Sequence, residues 1–230
     1  MRFILCCLVT FAALLLPSTA FGEEAEPFGV SVKINDDSTA KYSVVRQWKN
    51  IQLSLRTDLQ HIDGCARNTV QCSPEAEALA SILAKARALT GIAQLSFINR
   101  AVNQALIPTT DKEQWGEEEQ WSTPLETFRT KKGDCEDYLL AKYALLLLLG
   151  ASPERMRPLI EQQRKKTGED LQELHIVLAV SYESVWHVLD SSALEVSTTS
   201  GRNMELITPK YVLNWREALP RQEAAAQPAK

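Results

Sequence analysis

Gly133-Asp134-Cys135-Glu136-Asp137 sets a thiol directly before an apolar run at residues 138–149. A cysteine at the first turn of a helix meets unpaired backbone N–H groups and the positive end of the helix dipole, and both favour thiolate. A thiolate is a nucleophile, so the block points to acyl transfer through a covalent cysteine intermediate, proteolysis foremost. Asp134 and Glu136 flank the thiol, and their charges oppose its ionisation. At roughly 6 Å and an effective dielectric near 20, one carboxylate costs a thiolate about 2 to 3 kcal/mol. A divalent cation would lift that cost, and calcium suits a cage of carboxylate and carbonyl oxygens. Without a metal, Asp134 can cap the helix, Asp137 can complete a capping box, and Glu136 can complement the dipole. Both readings fit the residues.

A cysteine nucleophile needs a base for its proton and a third group to orient that base. The histidines are His61, His175 and His187. Residues 174–182 and 185–189 read as two strands joined by a turn at Glu183-Ser184. If Tyr182 pairs with Val185, Val177 lies opposite Asp190 and His175 opposite Ser192. His175 and Asp190 then share a face in a diagonal relation, and His187 falls on the other face. One residue more in the loop would reverse this, because the side-chain period is two. Taken alone, His175 reads as a satisfied sheet histidine and Asp190 as a turn residue. Beside a helix-start cysteine, the set Cys135, His175 and Asp190 becomes the candidate catalytic constellation. His61, in His-Ile-Asp-Gly, reads as an exposed turn residue.

The elements that must position these residues follow from periodicity. Val44, Val45, Trp48, Ile51, Leu55 and Leu59 recur at helical spacing. Ser73-Pro74 reads as a cap and first-turn proline for a helix through Leu89, Gly91 punctuates it, and residues 92–105 form another that ends before Pro108. Residues 108–133 read as a long ordered loop leading to the cysteine. Within it, Glu117-Glu118-Glu119 reads as a solvated segment, and Trp121 as a cleft or structural residue. The next helix is apolar on every face at residues 145–149, which predicts burial in the middle of the domain, and Gly150 and Pro153 stop it. A charged connection at 161–170 precedes the strands, with further strands near 194–196, 205–207 and 210–213. Residues 23–39 read as a loose lead-in. Helices first and strands later predict an α+β class with an antiparallel sheet.

Arg2, an apolar stretch at residues 3–16 and Pro17-Ser18-Thr19-Ala20-Phe21-Gly22 have the order of a secretory signal. About 14 apolar residues are short for a membrane span. The expectation is a signal at 1–22, cleaved after Ala20 or Gly22 and taking Cys6 and Cys7 with it; an uncleaved anchor is the alternative. The rest is expected to be one domain over 23–219 and a disordered tail over 220–230. Losing Arg2 takes the formal charge from −4 to −5. The dispersed basic residues argue against nucleic acid as the main partner. Of the remaining cysteines, Cys65 and Cys72 enclose a short, closable loop, so one disulfide and a free Cys135 is one reading; small, partly buried thiols are the other.

The chain resembles the bacterial transglutaminase-like cysteine peptidases and, within them, the LapG-type periplasmic proteases. The resemblance rests on Phe97-Ile98-Asn99, Val102-Asn103, Trp115-Gly116, Trp121 to Glu126, Gly133 to Tyr138, Ala141-Lys142-Tyr143, His175 to Leu178 and Leu189-Asp190. It implies a papain-like, transglutaminase-like core with N-terminal helices packed on an antiparallel sheet, and a triad of Cys135, His175 and Asp190. It also implies calcium (Ca2+) held through Asp134 and Glu136, with Asp137 as a third ligand. The implied substrate is a large surface adhesin of the LapA type, cut in the periplasm near its membrane-proximal end at a small-residue site, with biofilm dispersal as the result. The implied regulator is an inner-membrane receptor of the LapD type that responds to cyclic di-GMP. Two departures stand out: Ser191 where the family has Asn, and Thr109 where it has an aromatic residue. The oxyanion hole is expected to include the Cys135 backbone N–H. Transamidation by the same acyl-enzyme, and a non-catalytic calcium-binding module, are the rival readings.

Overall fold

The computed structural model describes residues 39–164, 172–199 and 207–212. The signal segment, the lead-in, part of the charged connection and the C-terminal tail lie outside these residues. No helix among the described residues is long and apolar enough to cross a membrane.

Three helices come first: α1 (Thr39–Ala66), α2 (Pro74–Ala86) and α3 (Gly91–Ala105). Ser73 caps α2 by accepting the Ala76 N–H at 3.4 Å, with Pro74 in the first turn. The helix ends at Ala86, short of the expected Leu89. Cys65 and Cys72 form a disulfide that closes the α1–α2 connection. His61 lies within α1 and is half-buried, so His-Ile-Asp-Gly continues the helix and is not a turn.

The segment expected as a loop is built instead from short elements: β1 (Ile107–Pro108), α4 (Asp111–Trp115), α5 (Pro124–Thr130) and β2 (Lys132–Gly133). Thr110 and Glu113 form a full capping box on α4, and Thr123 accepts the Glu126 N–H at 3.3 Å on α5. Both starts carry the Thr-x-x-Glu signature, so the signal was present in the sequence. The buried Asp58 carboxylate of α1 accepts the Leu125 N–H at 2.8 Å and ties α5 to the bundle.

Helix α6 (Cys135–Leu148) runs through the core with every residue from Glu136 to Leu146 buried, while 147–149, expected to be buried on every face, are half-buried at its end. Trp48 of α1 meets Tyr143 edge-on, with ring centroids 5.6 Å apart. Against α6 packs a five-stranded antiparallel sheet: β3 (Met156–Arg164), β4 (Gln172–Tyr182), β5 (Val185–Leu189), β6 (Ser197–Thr198) and β7 (Ile207–Val212). Its order is β6-β5-β4-β3-β7. Ile176, Leu178, Val180 and Leu189 join the helices in one core. The class is α+β, with helices packed on an antiparallel sheet.

Strand β3 replaces the first part of the expected charged connection. Pro158 and the polar end Glu161-Gln162-Gln163-Arg164 hide it, since proline is unusual inside a sheet. Pro158 pairs with Leu178 of β4 but lies beyond the last described β7 pair, Leu159 with Val212. Strand β6 occupies Ser197–Thr198, one residue beyond the expected 194–196.

The β4–β5 turn has φ of 50° at Glu183 and 61° at Ser184. Two left-handed central residues match the right-handed twist of the strands they join. Tyr182 therefore pairs with Val185, and the register runs to Leu178 with Leu189, as the two-residue loop requires.

Candidate active site

The parallel β1–β2 pair fixes the start of α6. The Ile107 N–H donates to the Lys131 carbonyl at 2.9 Å, and the Thr109 N–H to the Gly133 carbonyl at 3.0 Å. Gly133 is needed for close approach: a Cβ there would lie 2.7 Å from both Cβ and Oδ2 of Asp137. Cys135 follows two residues later and is partly exposed. It opens on a cavity of about 430 Å³ shared with His175, Tyr138, Thr109, Ser191 and Ser192. Both positions that depart from the family pattern therefore line the same cleft as the thiol.

His175 Nε2 stands 2.8 Å from Asp190 Oδ1. The same oxygen accepts the Ser192 N–H at 2.9 Å and the Ser192 hydroxyl at 2.8 Å. Burial alone would raise the Asp190 carboxyl, but the His175 bond and charge and the Ser192 bonds outweigh it and hold it well below the usual carboxylate range. With Nε2 committed to Asp190, Nδ1 is the ring nitrogen left for the thiol. His187 pairs with Val180 and Thr198 and does not line this cavity. His61 does not line it either.

The thiol itself departs from the helix-start expectation. Burial pushes the Cys135 thiol well above its usual range, the Glu136 charge adds to this, and the Ile176 backbone N–H only partly opposes it. The Cys135 S–H donates to Glu136 Oε2 at 3.3 Å. The helix terminus is outweighed by desolvation and two adjacent carboxylates.

The capping expectation is corrected for Asp134, while Asp137 keeps its bond to the Asp134 backbone N–H. Asp134 holds the N-cap position, but its side chain makes no capping hydrogen bond. Asp137 accepts the Ser122 N–H at 2.8 Å, anchoring the approach to α5. Asp134 Oδ1 and Asp137 Oδ2 are buried without a hydrogen-bond partner. Asp111 and Glu119 complete an acidic cluster. Carboxylate oxygens of Asp111, Glu119 and Glu136, and of Asp111, Asp134 and Asp137, lie within 4.8 Å of one another. Glu119 is thus not simply part of a solvated segment. The buried Asp111 accepts the Gln120 N–H and folds the acidic loop back toward α6. Trp121 is buried, its indole N–H donating to Glu119 Oε1 at 2.9 Å, which makes it a support for the loop. Crowding shows in the charges: burial, with neighbouring carboxylates, raises Asp134 to about 7, Asp137 to about 8 and Glu136 well above its usual range. Buried oxygen atoms without partners, in an all-carboxylate donor set, fit a hard cation such as calcium.

Asp111 and Glu119 escape sequence reasoning because they lie on a different element from the cysteine, and only the fold of 109–121 brings them in. Lys142 of the Ala141-Lys142-Tyr143 block lies on α6 seven residues beyond Cys135, its ammonium fully buried and lowered by desolvation to about 7 against the Asp190 charge.

A cysteine at a helix start shares its cavity with a histidine bonded to an aspartate, on helices packed against an antiparallel sheet, an arrangement consistent with a transglutaminase-like core. The chain belongs to the bacterial transglutaminase-like cysteine proteinase family, which it matches over residues 52–210. It is a cysteine protease. Its fold is similar to calcium-bound LapG of Legionella pneumophila, at 24% identity and TM-score 0.53, covering 68% of this chain and 83% of that one. LapG of the same organism matches in two further structures at 22% identity and TM-score 0.51. One of them covers 68% of this chain and 83% of the other. The second, EGTA-treated, covers 68% and 81%. No curated protein matches the sequence.

Proposed function

We propose that this chain is a periplasmic, calcium-dependent endopeptidase with Cys135 as nucleophile, His175 as base and Asp190 as the group that orients it. The observation that carries the reading is the pairing of His175 Nε2 with Asp190 Oδ1 at 2.8 Å, with His175 lining the same cavity as Cys135. Nδ1 of His175 takes the thiol proton, and the sulfur attacks the scissile carbonyl carbon. The Cys135 backbone N–H, one of the first donors of α6, faces the oxyanion. Collapse breaks the C–N bond as the imidazolium returns the proton to the leaving amine. Water, deprotonated by the same nitrogen, then adds to the thioester, and the regenerated thiol leaves a carboxylate product.

Asp134, Glu136 and Asp137, joined by Asp111 and Glu119, would hold calcium. When bound, calcium supplies positive charge that offsets the carboxylates opposing the thiolate. The calcium-bound and EGTA-treated forms of LapG support this choice of ion.

The leader pattern at 1–22 and the Cys65–Cys72 disulfide support export to an oxidising compartment. The substrate is a large surface adhesin of the LapA type, whose cleavage releases it and favours biofilm dispersal. The partner is a LapD-type inner-membrane receptor for cyclic di-GMP. Both rest on the family resemblance. The test compares new N-termini in the secreted and surface proteins of cells carrying wild type or Cys135→Ala. The expected result is one dominant cut, in a large surface protein, that vanishes in the variant and under EGTA. Identical N-termini in both strains would defeat the reading.

A further inference from the structure

Asp190 lies one residue past the last β4–β5 pair, Leu178 with Leu189, and two asparagines of α3 bond the backbone of its turn. Asn103 Nδ2 donates to the Asp190 carbonyl at 2.7 Å and to the Ala193 carbonyl at 2.8 Å. Asn99 Nδ2 donates to the same Ala193 carbonyl at 2.8 Å and to the Leu194 carbonyl at 3.2 Å. Four residues apart, the two amides project from one helix face. Every partner is a carbonyl, which only accepts, so the donor end of each amide must face the turn. The other ends, Oδ1 of Asn99 and of Asn103, are buried without a hydrogen-bond partner. The pair therefore serves one purpose, donation to the backbone of residues 190–194. Ile98 and Val102 beside them are fully buried in the core that also holds Leu139 and Leu140 of α6. The clamp thus ties the Asp190 turn to the framework that carries Cys135.

We infer that Asn99 and Asn103 are positioning residues that hold the Asp190 turn, and through it the His175 ring, in register with the Cys135 thiol. The inference rests on the proposed roles of Cys135, His175 and Asp190. A carboxylate that wanders by an ångström no longer holds the imidazolium against the thiolate, and geometry errors of that size cost on the order of 100-fold in catalysis.

The test is the rate at which iodoacetamide alkylates Cys135, followed on the Cys135 peptide by mass, across pH, in calcium-saturated full-length protein. Variants are Asn103→Asp, which keeps shape but replaces donors with acceptors, Asn99→Ala, and Asp190→Ala. In each, alkylation at neutral pH should drop roughly tenfold or more and the profile should move to higher pH, because a poorly held imidazolium supports the thiolate less. Adding Asn103→Asp to Asp190→Ala should cost nothing further, since both act through one group. If Asn103→Asp does not fold, Asn103→Ala carries the same comparison. A melting-temperature loss with a wild-type profile in the asparagine variants, beside an impaired Asp190→Ala, would overturn the inference alone. So would additive losses in the double variant. A wild-type profile in Asp190→Ala would overturn the triad reading and the inference with it.

Discussion

His175 and Asp190 are 15 residues apart and meet at 2.8 Å because a two-residue turn with left-handed backbone sets the register of the strands that carry them. The same register aims His187 elsewhere, between Val180 and Thr198. His175→Ala should therefore abolish cleavage, and Asp190→Ala should lower it severely while leaving a measurable residue, since orienting carboxylates can cost less than bases when removed. His187→Ala should stay within a few-fold of wild type by the same measure. Dead His187→Ala with active His175→Ala would show that the wrong histidine had been assigned.

The acidic cluster gives a pH signature in metal-free protein. Asp134 and Asp137 move from an ordinary value of 3.8 to about 7 and about 8, chiefly through burial. Raised values mean that the folded chain keeps protons the unfolded chain releases from about pH 4 upward. Stability under EGTA should then decline as pH rises from about 4 through 7 and 8. Calcium should restore the melting temperature most strongly at the alkaline end, by ligand linkage. A melting temperature independent of calcium at pH 8 would count against a cation in this cluster.

Asp111→Asn and Glu119→Gln should each weaken calcium binding by roughly tenfold or more, because ligand charge sets affinity in such sites. Glu118→Gln should not: Glu118 pairs with Lys112 at 2.8 Å on the surface. Calorimetric titration of the purified variants reads the difference directly. Equal affinities across all three would exclude Asp111 and Glu119 as ligands.

Gly133→Ala sets a methyl group 2.7 Å from the Asp137 side chain. Overpacking of this kind costs about 1 to 3 kcal/mol. Asp137 also anchors Ser122, so the loss should appear as a lower melting temperature together with weaker calcium binding. An unchanged variant in both assays would mean that the β2–α6 junction relaxes without strain.

Cys65→Ser with Cys72→Ser should destabilise the chain by about 2 kcal/mol, as loop closure predicts for a short span. Cys135 alkylation should keep its wild-type pH profile, because the disulfide staples α1 to α2. Denaturant melts and the alkylation assay separate the two effects.

Local patterns determined much of this protein from sequence alone. Residue types and spacing placed the thiol at a helix start, and a period of two with a two-residue loop aimed His175 and Asp190 together. Thr-x-x-Glu at Thr110 and Thr123 would have marked α4 and α5 as well. Tertiary structure decided the rest. Asp111 and Glu119 reach the cysteine helix only because the chain folds back between α4 and α5, and no period links them to Asp134. Strand β3 reads as a charged connection until β4 and β7 flank it, since strand preference depends on neighbours more than on composition. The thiol is raised, not lowered, because its ionisation depends on burial and on the charges around it, and burial exists only once the chain has packed.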